Sequence, residues 1–246
     1  MKKIILLFVL VLALASCSKD DDGDSITVDQ TSLEMYSLDT HQITTNQSSP
    51  TYTSENEYIA KVSVNGLITA RHIGETYIDI NGKRKVAVTI DAKYSLYEPL
   101  HDATLTKSQV ISKRGTPYSQ KDTTLIYLEP NKETYAEMYT FSSSTGKLES
   151  SAIVYTTYRF LAFNYALMER YEPITYDEDK YYFYYADALK ASDVRLIVVT
   201  DLYNLNYCIT MYVPKVSTTR STNESSLDYR NMLDGYRHAT LTDDDR

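Results

Sequence analysis

The chain has 246 residues, 43% hydrophobic and 24% charged, and carries 33 acidic against 25 basic side chains for a formal net charge of −8. That length holds one large or two modest domains, and the acidic balance excludes a phosphate-tracking surface, so no nucleic-acid partner is expected. With 24 tyrosines, 5 phenylalanines and no tryptophan, the composition suits a mainly β protein, since tyrosine buries a large ring, keeps a polar tip and favours strands.

Residues 1–16 open with Lys2 and Lys3 and run from Ile4 to Leu14 almost without a polar atom. The apolar stretch is well short of the roughly 20 residues a spanning helix needs, so it reads as a cleaved signal peptide. Leu14-Ala15-Ser16-Cys17 resembles a bacterial lipobox, which implies that Cys17 is lipidated and anchors the mature chain to a membrane. Residues 17–24 continue with Asp20-Asp21-Asp22-Gly23-Asp24, similar to the acidic tether that sends lipoproteins of Bacteroidetes-type bacteria to the outer face of the outer membrane. As plain chemistry, the same run is a solvated, self-repelling linker. With one of two cysteines given to lipid, Cys208 has no disulfide partner and is expected as a buried, inert thiol.

Residues 25–92 show short alternating runs separated by turn residues, with Asn65-Gly66 and Asn81-Gly82 as hairpin signals of the type I′ kind. Seven or so short strands in this span predict a β-sandwich. Tyr52-Thr53-Ser54-Glu55-Asn56, Ile59 to Ser63, Asn65-Gly66-Leu67-Ile68-Thr69-Ala70, Gly74 and Thr76-Tyr77-Ile78 resemble the bacterial Ig-like domain of group 2 (BIG2), with Tyr52 where that family commonly has tryptophan. The resemblance implies an Ig-like fold serving as a spacer or adhesive module. His41 and His72 have no paired ligand nearby in sequence and are expected at the surface.

Residues 97–216 predict an α+β domain of two repeats. A shift of 56 residues lays Val110–Pro117 on Ala166–Pro173 and Ala152–Tyr155 on Cys208–Met211. Each repeat reads as a helix, Lys107 to Lys113 with Thr106 as N-cap and Ala162 to Tyr171, followed by three antiparallel strands. The strands fall at 124–128, 135–141 and 148–156, then at 181–185, 194–200 and 205–213. A helix closed by Arg114-Gly115-Thr116-Pro117 before a meander resembles the SmpA/OmlA-type lipoproteins and the β-lactamase-inhibitor-like repeats. That resemblance implies one sheet built from both repeats and a surface for binding protein.

The fold class is therefore mainly β with α+β: an Ig-like sandwich, then a helix-plus-antiparallel-sheet domain. Residues 217–246 read as a disordered tail, in which Leu227 to His238 could form a short amphipathic docking helix. Four histidines, none in a metal-ligating spacing, and the absence of a nucleophile elbow or phosphate loop predict no catalytic residue, no metal and no cofactor. In Tyr181-Tyr182-Phe183-Tyr184-Tyr185, alternation puts Tyr181 and Tyr185 on one side and Tyr182 and Tyr184 on the other. Whichever side faces out is expected, with Tyr139 and Tyr212, to form a binding surface. The reading is a non-catalytic, surface-exposed outer-membrane lipoprotein whose Ig-like spacer presents a domain for an unknown protein. The alternatives are a glycan-binding lipoprotein of a polysaccharide-uptake system and a periplasm-facing assembly or envelope factor.

Overall fold

The computed structural model describes residues 25–177, 182–202 and 205–215. In the first unit, seven strands form two sheets: β1 (Ser32–Tyr36), β2 (Thr40–Gln42), β3 (Tyr52–Ser54), β4 (Ala60–Val62), β5 (Leu67–Ala70), β6 (Gly74–Ile80) and β7 (Arg84–Asp91). One sheet has the order β1-β7-β6-β3 and the other β2-β5-β4. The first and last strands, β1 and β7, pair in parallel. Every second residue of β1, β6 and β7 is buried, so Leu33, Ile78, Ile80, Val86, Val88 and Ile90 meet Ala60, Ile68 and Ala70 of the other sheet in one core.

The hairpin residues Asn81 and Gly82 both take positive φ, 56° and 69°, as a type I′ turn requires. At Asn65-Gly66 only the glycine does, at 81°, so this second turn is of another kind. A Cβ on Gly66 would stand 2.7 Å from Cζ of Tyr52. Glycine is required there both by the backbone and by the tyrosine that plugs this end of the core.

The second unit is built on α1 (Lys107–Arg114) and α2 (Phe160–Met168), with β8 (Ser119–Gln120), β9 (Thr124–Asn131), β10 (Thr134–Phe141) and β11 (Leu148–Thr156) after the first helix and β12 (Glu172–Asp177), β13 (Tyr182–Ala186), β14 (Leu196–Asp201) and β15 (Tyr207–Pro214) after the second. Thr106 and Gln109 form a reciprocal capping box at the start of α1, and Gly115 ends it at φ 86°. All eight strands join one antiparallel sheet in the order β12-β13-β14-β15-β11-β10-β9-β8. The order is palindromic. The last strands of the two halves, β11 and β15, pair at its centre, and each half reads outward to a short edge strand.

Those edge strands, β8 and β12, are a fourth strand per half that alternation did not foretell; β8 has two residues, and β12 carries Pro173, which an edge tolerates. The 56-residue comparison also needs correction. It matches Tyr127 with Phe183, which share a face, but it matches Ile153 with Ile209, which lie on opposite faces. A one-residue slip reverses every side chain of a strand, so one register does not serve the whole repeat.

The helices cover one face of the sheet. Val110 of α1 packs on Leu125, Tyr127, Tyr139, Phe141 and Leu148, while Phe163 and Leu167 of α2 pack on Ile153, Tyr155, Tyr185, Val198, Cys208 and Tyr212. Cys208 is buried, and burial pushes its thiol up to about 12, consistent with an inert side chain.

Candidate functional site

Of the six tyrosines that alternation grouped into one exposed surface, the fold places the five described ones apart. Tyr139, Tyr185 and Tyr212 are buried beneath the helices, and Tyr182 is buried on the opposite face of the sheet. Tyr184 is half-buried beside it, their rings edge to face at 6.3 Å. Tyr181 lies outside the described residues, as do Cys17, the acidic run and the segment 217–246. Alternation along the strand did sort Phe183 and Tyr185 from Tyr182 and Tyr184. What it could not reveal is that both faces of this sheet are buried.

Tyr139 belongs to a buried polar cluster. Its hydroxyl donates to Glu137 and accepts from Arg114 Nε at 3.0 Å and from the Leu100 amide at 3.2 Å. Glu137 is fully buried, faces an Arg114 nitrogen at 3.0 Å and accepts from the Tyr97 hydroxyl at 2.8 Å. A buried carboxylate held by a guanidinium and two phenols is a satisfied ion pair that fixes the linker 92–106 to the sheet. The Tyr185 hydroxyl donates to Asn164 of α2 at 2.6 Å. Among the described residues the Tyr212 hydroxyl has no hydrogen-bond partner, and its ring stacks on His101.

A second polar cluster joins the two units, and it corrects the expectation for His72. This residue is 3% exposed, wedged where α2 ends. Its Nε2 lies 3.0 Å from Glu172, its Nδ1 lies 3.2 Å from the Met168 carbonyl, and its ring packs on Tyr58. Arg71 donates to the same Glu172 oxygen at 2.7 Å. Tyr58 donates to the Arg170 carbonyl at 2.6 Å, and the Ile73 amide donates to the Glu169 carbonyl at 2.8 Å. Glu169, buried, accepts from the amides of Lys93 and Tyr94, both at 3.0 Å. His41, by contrast, is half-buried against Asp29 in the first unit.

Two outward features remain. The inner face of α2 buries Phe163, Asn164, Ala166 and Leu167, yet its outer face is also apolar. Leu161 is 67% exposed, Tyr165 50% and Met168 38%, a stripe at helical spacing that Tyr158, 81% exposed, extends at the N-terminal end. Beside it, an open groove of about 520 Å³ is lined by Glu129, Asn131, Glu133, Tyr135, Thr156 and Tyr158. Nothing in the sequence flagged the stripe, because a helix so uniformly apolar reads as a buried one.

Residues 1–18 match the prokaryotic membrane lipoprotein lipid attachment site. The match spans Cys17, and it makes this chain a lipoprotein associated with a membrane through its lipid. Among the described residues no helix is long and apolar enough to cross a membrane. No curated protein matches the chain.

Removing Tyr139 from its cluster is expected to be costly. Tyr139→Ala should lose about 3–5 kcal/mol as a large-to-small core change, and Glu137→Ala a similar amount by stranding Arg114. Denaturant unfolding measures both, and losses under about 1 kcal/mol would place these groups outside the core.

The joint between the units should respond to pH. Burial pulls the His72 imidazole below its ordinary value of 6.5, although Glu172 pulls the other way. Burial raises the Glu172 carboxyl, but hydrogen bonds from Arg71 and His72 outweigh it and hold the group below its ordinary 4.5. In both cases the unfolded chain binds more protons than the folded one, so stability rises with pH. The His72 contribution is complete above its unfolded pKa and is lost as pH falls below it; the Glu172 contribution goes at lower pH still. Between about pH 7.5 and about pH 5.5 the parent's melting temperature should therefore fall more steeply than that of His72→Gln. Equal slopes would contradict this assignment.

Proposed function

We propose that this lipoprotein is a non-catalytic binding protein displayed on the outer face of the outer membrane. In this reading its first unit is an Ig-like spacer, and its second unit carries the contact surface for a protein partner. The observation that carries the reading is the outer face of α2. A helix of this fold needs only its inner face to pack, so Leu161, the most exposed member of the stripe, contributes nothing to folding that a polar residue would not match. Contiguous exposed apolar residues on a soluble unit mark contact sites, and tyrosine is prominent among residues that dominate them. Tyr165 is also pre-positioned, stacked on Tyr94 at 5.5 Å, which lowers the entropy lost on binding.

A second reading, glycan binding, is favoured by the groove next to this stripe. There Tyr135 and Tyr158 offer ring faces beside Glu129, Asn131 and Glu133, a pairing of aromatic surface with hydrogen-bonding groups that suits a sugar. The acidic run after Cys17, with its resemblance to a surface-export tether, supports the outward orientation in both readings.

The test uses intact cells carrying the parent or the variant Leu161→Asp. Protease added outside should cleave both proteins, and chemical cross-linking should join the parent to one protein species that the variant fails to capture, with the melting temperature unchanged. Sparing by protease would contradict outward display. Retention on a glycan array that needs Tyr158 but not Leu161 would replace the protein partner with a sugar.

A further inference from the structure

The sandwich of the first unit has an open side. β1 and β2 are outermost strands of its two sheets, and an open groove of about 520 Å³ lies against them. It is lined by Leu33, Glu34 and Met35 of β1, by Leu38 and Asp39 of the turn that follows, and by His41 of β2.

The edge of β1 carries backbone groups that the fold does not use. In a parallel ladder, alternate residues of one strand bond to its neighbour. The Ala87 amide of β7 donates to the Thr31 carbonyl at 3.0 Å, which fixes the alternation: Leu33 and Met35 bond to β7, whereas Ser32 and Glu34 turn their N–H and C=O away from it. The next outward residue, Tyr36, is closed off by the turn. Its amide donates to the Asp39 carboxylate at 2.9 Å, and its carbonyl accepts from the Asp39 amide at 3.0 Å. Among the described residues nothing takes up the outward groups of Ser32 and Glu34.

Two further observations set this groove apart from an ordinary sheet edge. Leu38, at its end, is 76% exposed and stands at φ 73°, a left-handed conformation that glycine or asparagine takes readily and a bulky side chain does not. Neither burial nor backbone calls for a leucine there, and strain of this kind collects at binding sites. The second observation is charge. Glu34 is exposed and has no ion-pair partner among the described residues, Asp39 lies beside it, and His41, the only lining side chain able to carry positive charge, already faces Asp29. A charge on an edge strand bars indiscriminate pairing, and a carboxylate admits a segment of opposite sign.

Alternation decides what fits. A segment laid along β1 as a further strand turns successive side chains to opposite faces of the sheet. Those turned inward meet the flanks of Leu33 and Met35, and those turned outward meet Glu34 and the exposed ring of Tyr36.

We propose that the groove between β1 and β2 binds an extended basic polypeptide segment, which adds a strand to β1 at Ser32 and Glu34 and alternates apolar side chains with lysine or arginine. The first unit then has a binding role of its own, separate from the outer face of α2.

A capped hexapeptide of alternating lysine and valine tests this on the full chain from Cys17, labelled with nitrogen-15. At about 1 mM peptide the Glu34 amide should exchange with solvent about tenfold more slowly, the protection that a Kd of about 0.1 mM gives. The matching peptide of glutamate and valine should leave that amide unchanged. Glu34→Lys keeps the strand edge and, being an exposed change, the melting temperature, yet should cut protection by the lysine peptide to less than about twofold. Leu38→Asn should raise the melting temperature by relieving the backbone while weakening the same protection. No slowing at Glu34 with the lysine peptide would overturn the proposal. So would equal protection by both peptides, or protection spread over the acidic surfaces of both units instead of residues 32–39.

Discussion

The carboxylates at the end of α2 are what the arrangement of this protein depends on. Glu169 accepts two amides of the linker, and Glu172 accepts Arg71 and faces His72 from the first unit. Neither carboxylate could be taken from water unpaired without several kcal/mol of penalty; Glu169 pins the start of the linker, and Glu172 finds its partners only when both units are in place. The joint therefore favours a single arrangement over a loose string of two domains. A first unit held in this way keeps one orientation relative to the second.

The abundance of tyrosine has its explanation in the same chemistry. A sheet buried on both faces needs large rings, and a phenylalanine at each position would supply them. Tyrosine adds a hydroxyl that ties layers together: Tyr139 to Arg114 of α1, Tyr185 to Asn164 of α2, Tyr155 to Thr210 across the central pair of strands. Each such hydroxyl contributes about 1 kcal/mol when paired and costs more than that when left unpaired, so it specifies one packing over its rivals. Tyr212, whose hydroxyl is unpaired among the described residues, is the exception, and nothing in the structure accounts for it.

Local chemistry made much of this legible in the sequence. Thr106 and Gly115 bound α1 because a cap and a left-handed residue act within one turn. Asn81-Gly82 fixes its hairpin for the same reason. Alternation sorted Phe183 and Tyr185 from Tyr182 and Tyr184, but it carries no information about what lies above each face, so an exposed row was inferred where burial prevails. His72 reads as a surface residue from the sequence because its partner, Glu172, is distant along the chain and no pattern connects them. The edge strands were missed since two residues, or six containing a proline, fall below what periodicity detects. The exposed stripe of α2 was hidden by composition, for an outer face as apolar as the inner one leaves no moment to read.

That the two units form one body is the claim on which the rest stands, and a distance distribution tests it most directly. Spin labels at Lys61→Cys in the first unit and Lys190→Cys in the second, both exposed, leave the buried Cys208 thiol unlabelled. Pulsed electron spin resonance should give one narrow distance, no broader than the label linkers themselves impose, that spreads when Glu172→Ala removes the shared carboxylate. A broad distribution in the parent, unchanged by that substitution, would mean two independently tumbling domains and would contradict the account.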